Sequence, residues 1–283
     1  MDQDIKANPD RAALTTRRAS KQAYYTIYLL ADRDLKADAF RAYAYFRWLD
    51  DRLDTQADTS LDGLALIRRQ KDIIRRLYNG VELPALSPDE MMLAELVRNK
   101  KRPNGGLHAY IHHMMAVLEF DVNRRGRLIQ GRELSEYSLH LATAVTEALH
   151  FFIGNGKVSP ASGKRYLAAM GAHTTHMLRD TQEDTELGYY NIPIEFLQRH
   201  RIKPQDFSSE PFQLWVKARL EYARRCFLAG HEYLKDVGSL RCRIAGRLYM
   251  ARFERILDLI EKDGYILRPT YSRGEMIAAG FNL

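Results

Sequence analysis

Tyr43-Ala-Tyr-Phe-Arg-Trp-Leu-Asp-Asp-Arg-Leu-Asp54 decides how this chain reads. An apolar, aromatic run leads straight into three carboxylates, with Arg47 one turn upstream. On a helix Arg47, Asp50, Asp51 and Asp54 share one face, because residues three or four apart are neighbours. Like charges at that spacing cost a helix a few tenths of a kcal/mol, about 0.2–0.5 per pair. Asp50 and Asp54 beside such an apolar run therefore point to something positive held between them. The pattern returns at Asp180-Thr-Gln-Glu-Asp184.

Outward from these clusters, helical spacing dominates. Residues 1–17 read as a poorly ordered arm ahead of a domain over 18–283. A helix is expected from Ala19 to Leu30, and the acidic helix from Asp38 to Gln56. Another starts at Thr59-Ser60, runs through Tyr78 and ends at Asn79-Gly80. Ser87 reads as an N-cap with Pro88 at the first helical position. Lys100 to Gly106 is the clearest loop. Helices follow over 107–123 and 132–153, separated by a turn at Gly126–Gly131. Ser159-Pro160 reads as the cap of the helix that carries the second acidic cluster to about Leu187. Shorter or later helices are expected over 194–200, 211–235, 239–263 and 272–279. Strand alternation is almost absent, so the fold class is all-α and single-domain.

Composition narrows the function. With 283 residues and 46% hydrophobic content the chain can bury a large core. Cys226 and Cys242 are its two cysteines, too few for a disulfide framework. The first 20 residues lack the apolar stretch of a secretory signal, and no run is long enough to span a membrane. A cytoplasmic protein is expected. The net charge of +7 comes from dispersed residues, among them Arg68-Arg69, Arg75-Arg76, Lys100-Lys101-Arg102, Arg124-Arg125 and Arg224-Arg225. These read as solvated helix faces, and nucleic acid is not an expected partner.

Oxygen-only ligand sets suit Mg²⁺, with Mn²⁺ as the substitute. Asp50, Asp54, Asp180 and Asp184 are the candidate metal ligands and catalytic carboxylates. The metal would clamp a diphosphate, with Arg47 and Arg179 placed for bidentate phosphate contacts. Tyr43, Tyr45, Phe46 and Trp48 would line an apolar cavity beside it. A charged head, an apolar tail and aromatic faces together suit an allylic prenyl diphosphate and its carbocation. His173, His176, Asp180 and Asp184 also fall on one stripe, so His176 is a candidate metal ligand or general base. A ferritin-like di-iron bundle would need a second Glu-x-x-His pair beside Glu147-x-x-His150.

In the order of its motifs the chain resembles the squalene/phytoene synthase family. Tyr43-Ala-x-x-Arg47-x-x-Asp50-x-x-x-Asp54 looks like that family's first aspartate-rich motif. Met177-Leu-Arg-Asp-x-x-Glu-Asp184, followed by Gly188 and Ile192-Pro193, looks like its second. Phe253-x-x-Ile-Leu-x-x-Ile-Glu261 with Gly264-Tyr265 resembles its C-terminal helix. The resemblance implies an isoprenoid-synthase-type helical bundle around a central cavity. It also implies Mg²⁺ held by both motifs and a prenyl diphosphate ionised between them.

Several positions depart from the family pattern. His173 and His176 stand where Gln and Asn are usual. Thr146 adds bulk where a glycine-containing stretch is usual. Tyr189 and Asn191 replace the Arg and Tyr that follow the second motif. These changes surround the groups that handle a second prenyl diphosphate in head-to-head coupling. The chain thus resembles the divergent branch that prenylates aromatic small molecules, such as carbazole prenyltransferases. The implied partners are a prenyl diphosphate and a small aromatic acceptor. His173, His176 or His140 would be the base that takes the ring proton. Head-to-head synthesis, terpene cyclisation and a non-catalytic role are the competing readings.

Overall fold

A computed structural model describes residues 9–56, 60–99, 105–269 and 271. Eleven α-helices and no strand make up these residues, so the chain is all-α there. The boundaries follow local chemistry. Ser87 caps α5 (Pro88–Arg98) by accepting from the Glu90 amide at 3.2 Å, while Glu90 reaches back to the Ser87 amide at 2.8 Å. This reciprocal box satisfies two amide groups that a helix start leaves unpaired. Gly80, at φ +64°, ends α4 (Ser60–Asn79), as the Asn-Gly pair predicts.

Three expectations change. The arm expected over 1–17 holds a helix, α1 (Pro9–Ala19), whose Ala12 and Thr16 are buried one turn apart. Its apolar face is small, which hid it among charged residues; residues 1–8 lie outside the described set. Ser159-Pro160 does not cap the second acidic helix. The chain there makes short turns, with Arg165 N donating to Ser162 O and Leu167 N to Lys164 O, both at 3.1 Å. Arg165 instead claims the Ser159 hydroxyl. The helix, α8 (Leu167–Glu186), begins at Leu167 without a side-chain cap. Arg124 is buried rather than solvated. The helix expected over 272–279 and loop residues 100–104 lie outside the described set.

The chain divides into two compact units, Met1–Asn123 with Glu147–Val158, and Arg124–Thr146 with Ser159–Leu283. In the first, α3 (Lys36–Gln56) packs against α1, against α2 (Lys21–Leu30) and against α5. Tyr45 on α3 is fully buried and donates its hydroxyl to Gln70 Oε1 at 3.0 Å. Gln70 donates to Glu90 at 2.8 Å, and Arg69 grips Glu90 through Nε and Nη2 at 2.7 and 2.9 Å. This polar network inside the core fixes α3 in register. Helix α6 (Gly105–Arg124) belongs to the same unit up to Asn123.

In the second unit α8 packs against α10 (Glu210–Asp236) and α11 (Leu240–Lys262). Glycines permit the close approach. A Cβ at Gly230 of α10 would lie 2.7 Å from Ala168 Cβ and 2.9 Å from Met250 Sδ. α7 (Gly131–Ile153) contributes to both units, and α9 (Ile194–His200) is a short helix after the Pro193 turn.

Candidate functional site

The first cluster stands at the C-terminal end of α3. Burial pushes the Asp50 carboxyl up to about 6, and the neighbouring charges of Asp54, Asp121 and Asp51 push in the same direction. Arg47 opposes them; its Nη1 lies 3.5 Å from Asp50 Oδ2, and its Nη2 donates to Asp51. Tyr43, one turn before Arg47, is half-buried. Its hydroxyl is pushed up by burial and hydrogen-bonded to the Ser20 side chain. Ser20 also caps α2 by accepting from Ala23 N at 3.1 Å. Phe46 is buried between Tyr45 and Tyr110, with ring centroids at 5.0 and 5.2 Å. Tyr45 belongs to the core network, which corrects its expected place on a cavity wall.

The second cluster follows one stripe of α8. Arg179 forks onto Asp180, Nε to Oδ1 and Nη2 to Oδ2, both at 2.6 Å. His176 Nε2 lies 3.0 Å from Asp180 Oδ2. Burial works to raise the Asp180 carboxyl, but these two partners outweigh it and hold the group well below the usual range. Asp184, one turn on, is pushed the other way. Burial and then the charge of Asp180 lift it to about 6, against Arg124, Asn191 and His176.

Helix α8 stops where Gly188 turns to φ +85°. Its carbonyl accepts from Gly126 N at 2.8 Å, which ties the two turns together. That tie brings Asn191 and Arg124 into contact. Arg124 Nη1 donates to Asn191 Oδ1 at 2.8 Å, and Asn191 Nδ2 donates to Asp184 Oδ2 at 2.7 Å. The guanidinium lies over the rings of Tyr137 and Tyr189, 4.8 and 5.0 Å from their centroids.

His173 is buried, and neither ring nitrogen has a hydrogen-bond partner. Tyr137 stands edge-on to it at 5.1 Å. Burial, then His176, Arg124 and Arg219, hold it down to about 3, so it is neutral and a poor base at neutral pH. His176 is half-exposed and lies 6.3 Å from the Phe253 ring. Thr146 is buried near the end of α7's contribution to this unit.

The donor set at both clusters is hard oxygen, and two carboxylates are pushed up to about 6 by burial and neighbouring negative charge. That suits a divalent cation such as Mg²⁺, which takes one or two carboxylates and fills its shell with water and phosphate oxygens. Among the described residues, no three His, Cys, Asp or Glu groups could by themselves hold an ion. Asp180 has both oxygens engaged, so Asp184 is the more available donor of its pair.

Sequence reading missed Asp121 and Arg124. Asp121 stands two positions from Glu119 on α6, outside any Asp-x-x-x-Asp repeat, and Arg124 meets Asn191 across 67 positions. Neither leaves a periodic signal.

An all-α chain with two aspartate-bearing helical clusters, each beside an arginine, has the parts of an isoprenoid synthase. Residues 16–275 match the family model of squalene/phytoene synthase, and the chain belongs to that family of isoprenoid-forming transferases. Its fold is similar to that of squalene synthase HpnC from Alicyclobacillus acidocaldarius, at TM-score 0.75 and 16% identity, covering 95% of this chain and 98% of that one. It is also similar to a dehydrosqualene synthase in complex with a ligand, at TM-score 0.69 and 14% identity, over 98% and 95% of the two chains. No curated protein sequence matches. Among the described residues no helix is long and apolar enough to cross a membrane.

Proposed function

We propose that the chain is a Mg²⁺-dependent prenyltransferase that moves an allylic prenyl group onto a small aromatic acceptor. The observation that carries this reading is the pairing on α8 of a half-exposed imidazole, His176, with a carboxylate held ionised, Asp180. A phosphate-only site has no need of such a base. Asp50 and Asp54 at the first cluster, and Asp184 at the second with Asp180 beside it, are the candidate donors to divalent ions. Bound Mg²⁺ would neutralise the charge that develops on the leaving diphosphate. Arg47 and Arg179 are suited to its oxygens.

Apolar surface for the tail is at hand beside the first cluster. Helix α2 reads Lys-Gln-Ala-Tyr-Tyr-Thr-Ile-Tyr-Leu-Leu, yet none of its residues is buried. Ser20 at its start bonds to Tyr43, one turn before Arg47. In the reaction the allylic C1–O bond breaks and its electron pair leaves with diphosphate. A ring carbon of the acceptor bonds to C1. The ring proton then passes to Nδ1 of His176, while Nε2–H stays bonded to Asp180 Oδ2. His173, neutral and with both ring nitrogens unpaired, is suited to a polar group on the acceptor.

The test is to incubate the protein with farnesyl or geranylgeranyl diphosphate, with and without an indole- or carbazole-type acceptor. Diphosphate release and a prenylated aromatic product are expected only with Mg²⁺ and acceptor. Replacing His176 by Ala should slow product formation by about a hundredfold and change prenyl diphosphate affinity little. A coupled hydrocarbon formed from the prenyl diphosphate alone would establish head-to-head synthesis instead. Full turnover by both Asp50→Asn and Asp184→Asn would remove the diphosphate reading altogether.

A further inference from the structure

The outward face of α11 is apolar and cationic, and neither acidic cluster uses it. Leu240, Ile244 and Leu248 are 61%, 41% and 62% exposed, and their spacing puts them on one stripe. The opposite face is the buried one, with Cys242, Ala245, Met250, Phe253 and Ile256 in the core. The stripe extends onto α10. Arg224 bonds to Asp258 and Glu261, and His231 to Glu254, so Arg224 and His231 both face α11. Leu228 stands one turn from each of them and is 65% exposed. Isolated aliphatic side chains on a surface need no explanation, but three leucines and an isoleucine on one face do.

Charge gives this face its partner. From Leu240 to Phe253 the helix has Arg241, Arg243, Arg247 and Arg252 and no carboxylate. Arg247 and Arg252 are exposed. The acids further along the helix are already paired, Glu254 with His231 and both Asp258 and Glu261 with Arg224.

We propose that this face of α11 docks the protein reversibly on an anionic lipid surface. Its aliphatic side chains would enter the boundary between headgroups and acyl chains, with the arginines on lipid phosphates. A second copy is a poorer occupant, because a two-fold interface would press the same cationic patch against itself. The proposal is independent of the chemistry assigned to the acidic clusters.

Flotation of the full chain with phosphatidylcholine vesicles, and with vesicles carrying roughly a third phosphatidylglycerol, tests it. Binding to the anionic vesicles should be at least tenfold stronger, and should weaken as salt screens it. The double variant Ile244→Glu/Leu248→Glu should lose most binding to anionic vesicles. Arg247→Glu should cut the anionic preference by about tenfold while leaving weak binding to neutral vesicles unchanged. All these positions are exposed, so thermal unfolding should match wild type and show that the variants are folded. No binding to either vesicle, or equal binding by wild type and the double variant, would overturn the proposal. So would a wild-type dimer that the double variant dissociates, which would make a second copy the occupant.

Discussion

Asp184→Asn should make the protein more stable at neutral pH while removing a candidate metal donor. The Asp184 carboxyl is lifted from 3.8 to about 6, first by burial and then by Asp180, one turn away. A rise of about two units is worth roughly 3 kcal/mol at full weight, since one unit corresponds to about 1.4. Asp184 is only partly buried, so solvent screening reduces this to about 1 kcal/mol. A carboxyl whose folded value lies above its unfolded value destabilises the fold once it is ionised. The penalty is complete above pH 6 and fades as pH falls toward 4. Asn carries no charge, and its Oδ1 can still accept from Asn191.

The expected gain is therefore about 1 kcal/mol near pH 7.5, or roughly 2–4 °C in Tm. It should shrink to about a third at pH 4.5, where wild-type Asp184 is largely protonated. Thermal melts of both proteins across that range, without divalent cation, measure it. Saturating Mg²⁺ and a diphosphate analogue should then raise the Tm of wild type more than that of the variant. A variant less stable than wild type at neutral pH would refute the reasoning. It would mean that Arg124 depends on the Asp184 charge more than Asp184 suffers from Asp180. A gain independent of pH would refute it too, because charge would then not be the cause.

Two further predictions concern the frame that holds the clusters. Gly230→Ala should lower stability by about 1–3 kcal/mol in denaturant unfolding, because its Cβ would press on Ala168 and Met250, although alanine favours the helix. Glu90→Gln should cost about 2 kcal/mol above pH 5, measured from the urea midpoint. Burial works to raise Glu90, but Arg69, the Ser87 amide and Gln70 hold it down to about 2. Its stabilisation is thus present above the unfolded value near 4.3 and lost as pH falls toward 2, where the variant and wild type should converge.

Much of the fold is legible locally. Ser87, Pro88 and Glu90 announce the start of α5, and Asn79-Gly80 the end of α4, because both signals act within a few residues. Ser159-Pro160 carries the same kind of signal and misleads. The Ser159 hydroxyl is taken by Arg165, six positions on, and a chain of turns delays the helix to Leu167. Helix α1 is hidden for the opposite reason. Its buried face rests on Ala12 and Thr16, too small to register as periodicity. In the site, the aspartates show through their repeat spacing, whereas Arg124 does not. Its role depends on the tie between Gly126 and Gly188, which brings distant positions into contact. A sequence window sees only a basic pair before a turn.

Asp180 and Asp184 occupy equivalent positions on one helix face, yet their surroundings push them in opposite directions. Two like groups driven apart in this way are suited to different tasks. Asp180 is held ionised by Arg179 and His176, and both of its oxygens are occupied. It is suited to orient the imidazole and keep its tautomer, with Nε2–H toward the carboxylate. Asp184 is lifted by burial and by Asp180 in spite of Arg124, Asn191 and His176, which suits it to a cation. The two substitutions should therefore diverge. Asp180→Asn should destabilise the protein by roughly 1–2 kcal/mol at neutral pH, because charge-assisted hydrogen bonds are lost. It should lower turnover chiefly by misorienting His176, with metal affinity changed little. Asp184→Asn should stabilise the protein and weaken metal binding. Calorimetric titration with Mg²⁺ beside thermal melts separates the two. Equal losses of metal affinity in both variants would show that the aspartates act as one ligand pair and that His176 is not held for proton transfer.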